Sequence, residues 1–362
     1  MAQARLTVTS EPTVYHAITR TSRGEFLFGE VEKNMMRKML WQMADFCGVE
    51  VLTYVVMSNH LHVVVRVPVK ESMEARAAED GTAAVPAVPG ADALVSNAEV
   101  LRRYGALYGK SAMQEAEKNL QGATDEVWQV FRKKYVPLMH DLSWFMRLLK
   151  QRFARWYNAF HKTFGTLWAE RFTSVIVEGE GEALLATCTY VDLNPVRARL
   201  VADPKDYRWS GYGEAVGGLA KARTGLARAA WEEASGRQTK DELAWKFTQQ
   251  ATVGWRTVQA RYRLILYAVG QVPKVKNGRA QGVISEAAGE AVKAADGQLP
   301  WATALRDRVR YFSRGGVLGT KEFVDRIFGM KKDHFPIGRI DGARKLRGAG
   351  WGAITALRDL RS

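Results

Sequence analysis

The chain has 362 residues, with 53 Lys and Arg against 38 Asp and Glu, a formal net charge of +15 and a pI of about 9.8. That length points to two domains rather than one small core, and so large a positive charge draws polyanions, nucleic acid first and a membrane surface second. Two cysteines, Cys47 and Cys188, stand outside any CxxC pair, which excludes a disulfide scaffold and a zinc knuckle.

The opening MAQARLTVTSEPTVYHAITR lacks the apolar core of a signal peptide, and no run approaches a membrane span. The expectation is a cytoplasmic, nucleoid-associated protein with no membrane partner. TVYHAITR at 13–20 predicts a first strand, followed by Arg20, Arg23 and a turn at Gly24. Residues 29–48 predict a helix with Phe28, Met35, Met39, Leu40, Met43 and Phe46 as its apolar stripe and Gly48 as its stop. Strands follow at 49–56 and 60–67, joined by a turn at Met57-Ser58-Asn59. Strand, helix, strand, strand suits an antiparallel or mixed sheet with helices on one face.

Residues 71–98, rich in Ala, Gly and Pro, read as a loop, and 98–130 as mostly helical. The stretch 141–161 predicts a long amphipathic helix, with Asp141 or Ser143 as cap and an apolar stripe of Leu142, Phe145, Leu148, Leu149, Phe153 and Trp156. A strand is expected at 172–177 and a helix at 181–192 running on into LNPVRARLV. The composition turns Gly-rich near 215, where a boundary is placed between domains 1–215 and 216–362. Beyond it, 220–270 and 300–330 read as helical. The tail from Lys331 carries eight Lys or Arg against three Asp, together with Trp351.

The most informative stretch is VVMSNHLHVVVR at 55–66. Side chains alternate along a strand, so His60 and His62 share a face while Leu61 points the other way. Two imidazoles on one sheet face are a metal platform; the same pattern read alone also describes two histidines satisfied within a sheet. Tyr190 and Asn194 are four apart on a predicted helix, about one turn or roughly 6 Å along its axis, with Pro195 ending or bending the helix just after. Their bland reading is a buried tyrosine and a helix-end cap. Combined, two imidazoles and an amide oxygen suit one divalent ion that polarises a phosphodiester. A tyrosine one turn away then has a phosphorus to attack, and the covalent link conserves the phosphodiester energy. Tyr157 is a second tyrosine on a helix after the histidines, read as a packing or DNA-facing residue. His16 in the first strand is a candidate neighbour of the site, with packing in the sheet as its first reading.

Three blocks, YVVMSNHLHVVVR at 54–66, GTLWAERFTSVIV at 165–177 and LLATCTYVDLNPVRARLVADPKDYRWSGY at 184–212, occur in the order found in the IS200-like single-tyrosine transposases of the HUH superfamily, and the chain resembles that family and its REP-associated members over roughly residues 13–212. The resemblance implies a ferredoxin-like α+β domain with a central antiparallel sheet, carrying here a helical insertion at about 70–140 and about 150 mostly helical residues after the catalytic unit. It implies His60, His62 and Asn194 as ligands of Mg²⁺ or Mn²⁺, and Tyr190 as the nucleophile. The implied reaction cleaves and rejoins single-stranded DNA near a hairpin or palindromic repeat through a 5′-phosphotyrosine, by a monomer or a homodimer. The family context NPVRA favours Tyr190 over Tyr157. The alternatives are an idle hairpin-binding relative and a nickase of replication or plasmid origins.

Arg20, Arg23, Arg66, Arg171, Arg197 and Arg199 gather by sequence around the predicted site elements and are candidates for phosphate contact. Trp168, Phe172 and Trp209 are candidates for stacking on unpaired bases.

Overall fold

The computed structural model describes residues 12–69, 95–177, 179, 181–235, 255, 258–272, 275–276 and 279–297, and scattered residues between 318 and 356. The loop expected at 71–98 and the helix expected at 300–330 lie almost wholly outside the described residues, as do Trp351 and four of the tail's eight Lys and Arg. The chain divides into two compact units, residues 1–191 and 192–362, ahead of the composition shift near 215.

The first unit is built on a four-stranded antiparallel sheet. Its strands are β1 (Thr13–Arg20), β2 (Glu50–Val56), β3 (His60–Val67) and β4 (Thr173–Val177), in the order β2-β3-β1-β4. Between them run α1 (Glu30–Cys47), three inserted helices α2 (Asn97–Tyr108), α3 (Lys110–Leu120) and α4 (Asp125–Tyr135), and the long α5 (Leu142–His161). With the insertion set aside, the chain reads βαββαβ in the strand order of a ferredoxin-like sheet. α6 (Gly181–Asp192) follows β4. β1 and β3 are the inner strands and are rich in β-branched residues, which suit a pleated surface covered on both sides.

Local chemistry explains the element ends. The Asp141 side chain accepts from the N–H groups of Ser143 and Trp144, which selects Asp141 over Ser143 as the cap of α5. α1 stops at Gly48, whose left-handed backbone (φ 62°) returns its N–H to Ala44. The buried stripe of α1 is Met36, Leu40, Met43 and Phe46, with Cys47. Met35 and Met39 are half-buried, so the stripe is one residue out from the expected one at its start. Met36 and Leu40 are one turn apart and share the face that continues to Met43.

The inserted helix α2 is tied to α1 by charge. Glu99 accepts from Arg102 and Arg103 at 2.7 Å each, and Arg102 reaches Asp45 of α1 at 2.9 Å. These partners, Arg102 first, hold the Glu99 carboxyl down to about 2.

The second unit is largely helical among its described residues. It holds α7 (Asn194–Arg197), α8 (Gly211–Val216), α9 (Ala220–Ser235), helical residues 258–271 and a helix over Glu286–Ala294. A two-stranded and a three-stranded antiparallel ladder of two-residue strands accompany them. Its polar anchor is the fully buried Asp192, which accepts from the Tyr212 N–H at 3.1 Å and the Tyr262 hydroxyl at 2.5 Å.

The helix expected to run through Tyr190 and Asn194 is two helices. α6 ends at Asp192, and α7 starts afresh at Asn194 with Pro195 in its first turn. A proline has no N–H to give and its ring collides with the carbonyl four residues back, so the break falls before Pro195 rather than after it.

Candidate active site

Alternation along β3 sends His60, His62, Val64 and Arg66 to one face of the sheet and Leu61, Val63 and Val65 to the other. The antiparallel register of β1 on β3 pairs Arg20 with His60, Ile18 with His62 and His16 with Val64. Arg20, Ile18 and His16 therefore join the histidine face. On the opposite face Trp41 of α1 packs edge-on against Tyr54, with ring centroids 5.9 Å apart. α1 thus covers the apolar side, and the histidines look away from it.

Tyr190, in the last turn of α6, stands over the histidine face. Its ring meets His62 edge-on at 5.8 Å and His16 at 6.0 Å between centroids. The tyrosine is 50% exposed, whereas His62 is 2% and His16 8% exposed. A polymer can reach the phenol while the imidazoles beneath are fixed by their surroundings.

Each of the two paired histidines has its Nδ1 engaged. The Asn59 side chain donates from Nδ2 to the Gly24 carbonyl at 2.8 Å, which turns its Oδ1 toward His60 Nδ1 at 2.6 Å. A carboxamide oxygen only accepts, so His60 Nδ1 carries the proton and Nε2 the lone pair. His62 Nδ1 lies 2.9 Å from His16 Nε2, and the two rings meet edge to edge, with centroids 5.1 Å apart and planes 19° from parallel. Burial pushes the His16 imidazole down to about 4, so it is neutral near pH 7.

This donor set fits a divalent ion in part. Metal-bound histidines ordinarily coordinate through one nitrogen while a neighbour holds the other, which is the arrangement at His60 and His62. Among the described residues, no group of three His, Cys, Asp or Glu is placed to hold a metal. Oxygen ligands beside the two imidazoles would suit Mg²⁺ or Mn²⁺.

The remaining expected residues are distributed as follows. Asn194 opens α7 in the second unit and is half-buried. Arg20 and Arg23 are exposed beside the β3 entry, where Thr21 N–H bonds the Asn59 carbonyl at 3.0 Å, and Arg171 is exposed. Arg66 lies on the histidine face at the far end of β3, 3.9 Å from Glu50. In the second unit Arg197 donates to the carbonyls of Val269, Val272 and Gly282, and Arg199 to that of Ala280.

Trp168 packs against Phe28 and Phe153 and donates to the Lys150 carbonyl at 3.1 Å; Phe172 is buried. Trp209 packs on Tyr207, with the Arg208 guanidinium 4.6 Å from its ring centroid. Tyr157 stacks with His161 at 4.2 Å, and His161 is bonded to Glu32 of α1, the helix covering the apolar side. Burial first, then the charges of Glu32 and Glu25, raises the pKa of the Tyr157 phenol.

Two partners of the histidines were not expected as such. Asn59 was visible only as a polar residue before the pair. His16 was visible as a strand histidine, with nothing in the sequence to set the register that brings it to His62.

Residues 9–77 match the family model described as Transposase IS200 like. That span contains β1, α1, β2 and β3, and so His16, Asn59, His60 and His62; it ends before Tyr190. A solved structure titled "Structure of the REP associates tyrosine transposase bound to a REP hairpin" is similar at 14% identity and a TM-score of 0.35, covering 60% of this chain and 86% of that one. No curated protein matches the chain. No helix among the described residues is long and apolar enough to cross a membrane.

Proposed function

We propose that this chain is a metal-dependent enzyme that cleaves and rejoins single-stranded DNA at hairpins or palindromic repeats through a 5′-phosphotyrosine. The observation that carries the reading is the half-exposed Tyr190 ring standing edge-on to His62, over a sheet face where His60 and His62 each have Nδ1 engaged. The IS200-like match over the histidine strands supports it independently.

His60 and His62 would hold Mg²⁺ or Mn²⁺ through Nε2. A bound ion supplies Lewis-acid polarisation of the phosphate and stabilises the charge that builds on its oxygens. Tyr190 supplies the nucleophile: its Oη forms a bond to phosphorus as the bond from phosphorus to the 3′-oxygen breaks. The 5′-phosphate stays on the tyrosine, and the phenolic proton ends on the released 3′-oxygen by way of solvent. Attack of a 3′-hydroxyl on the same phosphorus reverses the step, so joining needs no ATP. Arg20, exposed and on the same face, would pair with the backbone, and the net charge of +15 would bring the polyanion in.

The test is a labelled single-stranded hairpin drawn from the DNA flanking the gene, incubated with the full chain and Mn²⁺ or EDTA, then run on a denaturing gel. A covalent adduct that needs Mn²⁺ and is lost in Tyr190→Phe and His60→Ala is the expected result. Binding without adduct across varied hairpins overturns the enzyme reading in favour of a hairpin-binding relative. An adduct that survives Tyr190→Phe moves the nucleophile to Tyr157.

A further inference from the structure

We infer that His16 is a positioning residue for the metal site: it accepts the Nδ1 proton of His62 and so holds the His62 Nε2 lone pair ready for the ion. The inference rests on the metal reading above and names a residue that reading does not use.

A neutral imidazole carries one proton on one of two nitrogens. His62 coordinates through Nε2 only in the tautomer whose proton sits on Nδ1, and in a side chain 2% exposed that proton needs an acceptor inside the protein. The His16 Nε2 is there, 2.9 Å away. The in-line contact of the two rings, with planes 19° from parallel, also limits how far the His62 ring can turn about its bond to the strand. His60 is served by the same device with a different acceptor, the Asn59 carboxamide, itself oriented by Gly24. The two histidines therefore have their tautomers set independently, one from the adjoining residue and one from the neighbouring strand. His16 is excluded as a ligand of the same ion through Nε2, because that nitrogen is spent on His62.

The geometry shows why β1 can supply this group. Across the ladder His62 faces Ile18, and His16 is the next residue of β1 on that face. Diagonal neighbours two residues along lie roughly 7–8 Å apart between backbones, within reach of two rings. A register shift of one residue would send His16 to the apolar side.

Three full-length variants test the inference. His16→Phe keeps an aromatic ring and removes both nitrogens; His16→Gln puts an amide oxygen near the place of Nε2; His60→Ala reports on the ion itself. Mn²⁺ uptake is read from the loss of the free-ion electron paramagnetic resonance signal, with thermal melts to show that each variant is folded. In the metal-free wild type, ¹⁵N-histidine spectra read which nitrogen of His62 carries the proton. The expected results are a protonated Nδ1 at His62, a weakening of Mn²⁺ binding by about 10–100-fold in His16→Phe, and recovery of most of that loss in His16→Gln. Wild-type Mn²⁺ uptake that His16→Phe leaves unchanged overturns this inference alone, as does a His62 protonated on Nε2 in the wild type. A wild type that takes up no Mn²⁺, or takes it up equally with His60→Ala, overturns the metal reading and this inference with it.

Discussion

The two faces of the first unit's sheet are made by alternate residues of the same strands, and they are opposite in character. Leu61, Val63 and Val65 are fully buried on the side that α1 covers. One residue out of phase, His60 and His62 meet His16 from the neighbouring strand and the half-exposed Tyr190 from α6. The apolar face derives its stability from excluded water and close contact, which any well-fitting side chain can supply. The histidine face depends on particular atoms at hydrogen-bond distance, and its tyrosine is left reachable. A rigid apolar layer beneath holds a polar layer to a fixed geometry above, which is what a site for reacting groups requires.

Substitutions on the two faces should separate cleanly. The largest effect is expected at Tyr190: Tyr190→Phe abolishes the covalent DNA adduct on a denaturing gel while the melting temperature stays within a degree or two, since a half-exposed hydroxyl contributes little to the fold. Leu61→Ala, its counterpart on the covered face, should cost about 2–5 kcal/mol of stability in urea titrations. Mn²⁺ affinity of the folded fraction should be unaltered. A Leu61→Ala chain that melts normally would show that the covered face is not the support described here.

The arginines sharpen a second contrast. Arg20 is exposed on the histidine face, whereas Arg197 gives its donors to three backbone carbonyls of the second unit. Arg197→Ala should lower stability by about 1–3 kcal/mol, because it strips charge-assisted hydrogen bonds from those carbonyls. Arg20→Ala should leave the melt unchanged, weaken binding of single-stranded DNA at every sequence, and reduce the slope of log affinity against log salt by about 0.7. Equal salt slopes in the two variants would remove the distinction.

The smallest expected effect concerns the charge clamp on α2, where Glu99 holds the Arg102 that reaches Asp45 of α1. The Glu99 carboxyl is held well below the ordinary carboxylate range by Arg102 and Arg103, so the folded state binds its proton later than the unfolded state does. The clamp's contribution is complete above about 4.5 and is lost as pH falls from there toward 2. Glu99 is partly exposed and solvent screens it, so Glu99→Gln should cost only about 1 kcal/mol at neutral pH. Its stability curve and the wild-type curve should converge at the acid end; parallel curves would show that the clamp is not electrostatic.

Much of this was legible in the chain. A period of two put His60 and His62 on one face without reference to any other residue, and Asp141 and Gly48 marked helix ends by chemistry that acts within three or four residues. The strands and helices of the first unit follow from such short-range patterns. Partnership across the fold was not legible. His16 and His62 are 46 residues apart, and only the antiparallel register made them neighbours. The break at Leu193 was half-legible: Pro195 announced it, but which side it fell on depended on where α6 gave way. Arg197 offered the same cation as Arg20, and its place beside the carbonyls of Val269, Val272 and Gly282 was set by packing far along the chain. The sequence by itself determined which groups share a face of their own element, because backbone geometry is local. The tertiary structure decided which groups face each other and which donors are already spent, because those depend on register and packing between segments distant in the chain.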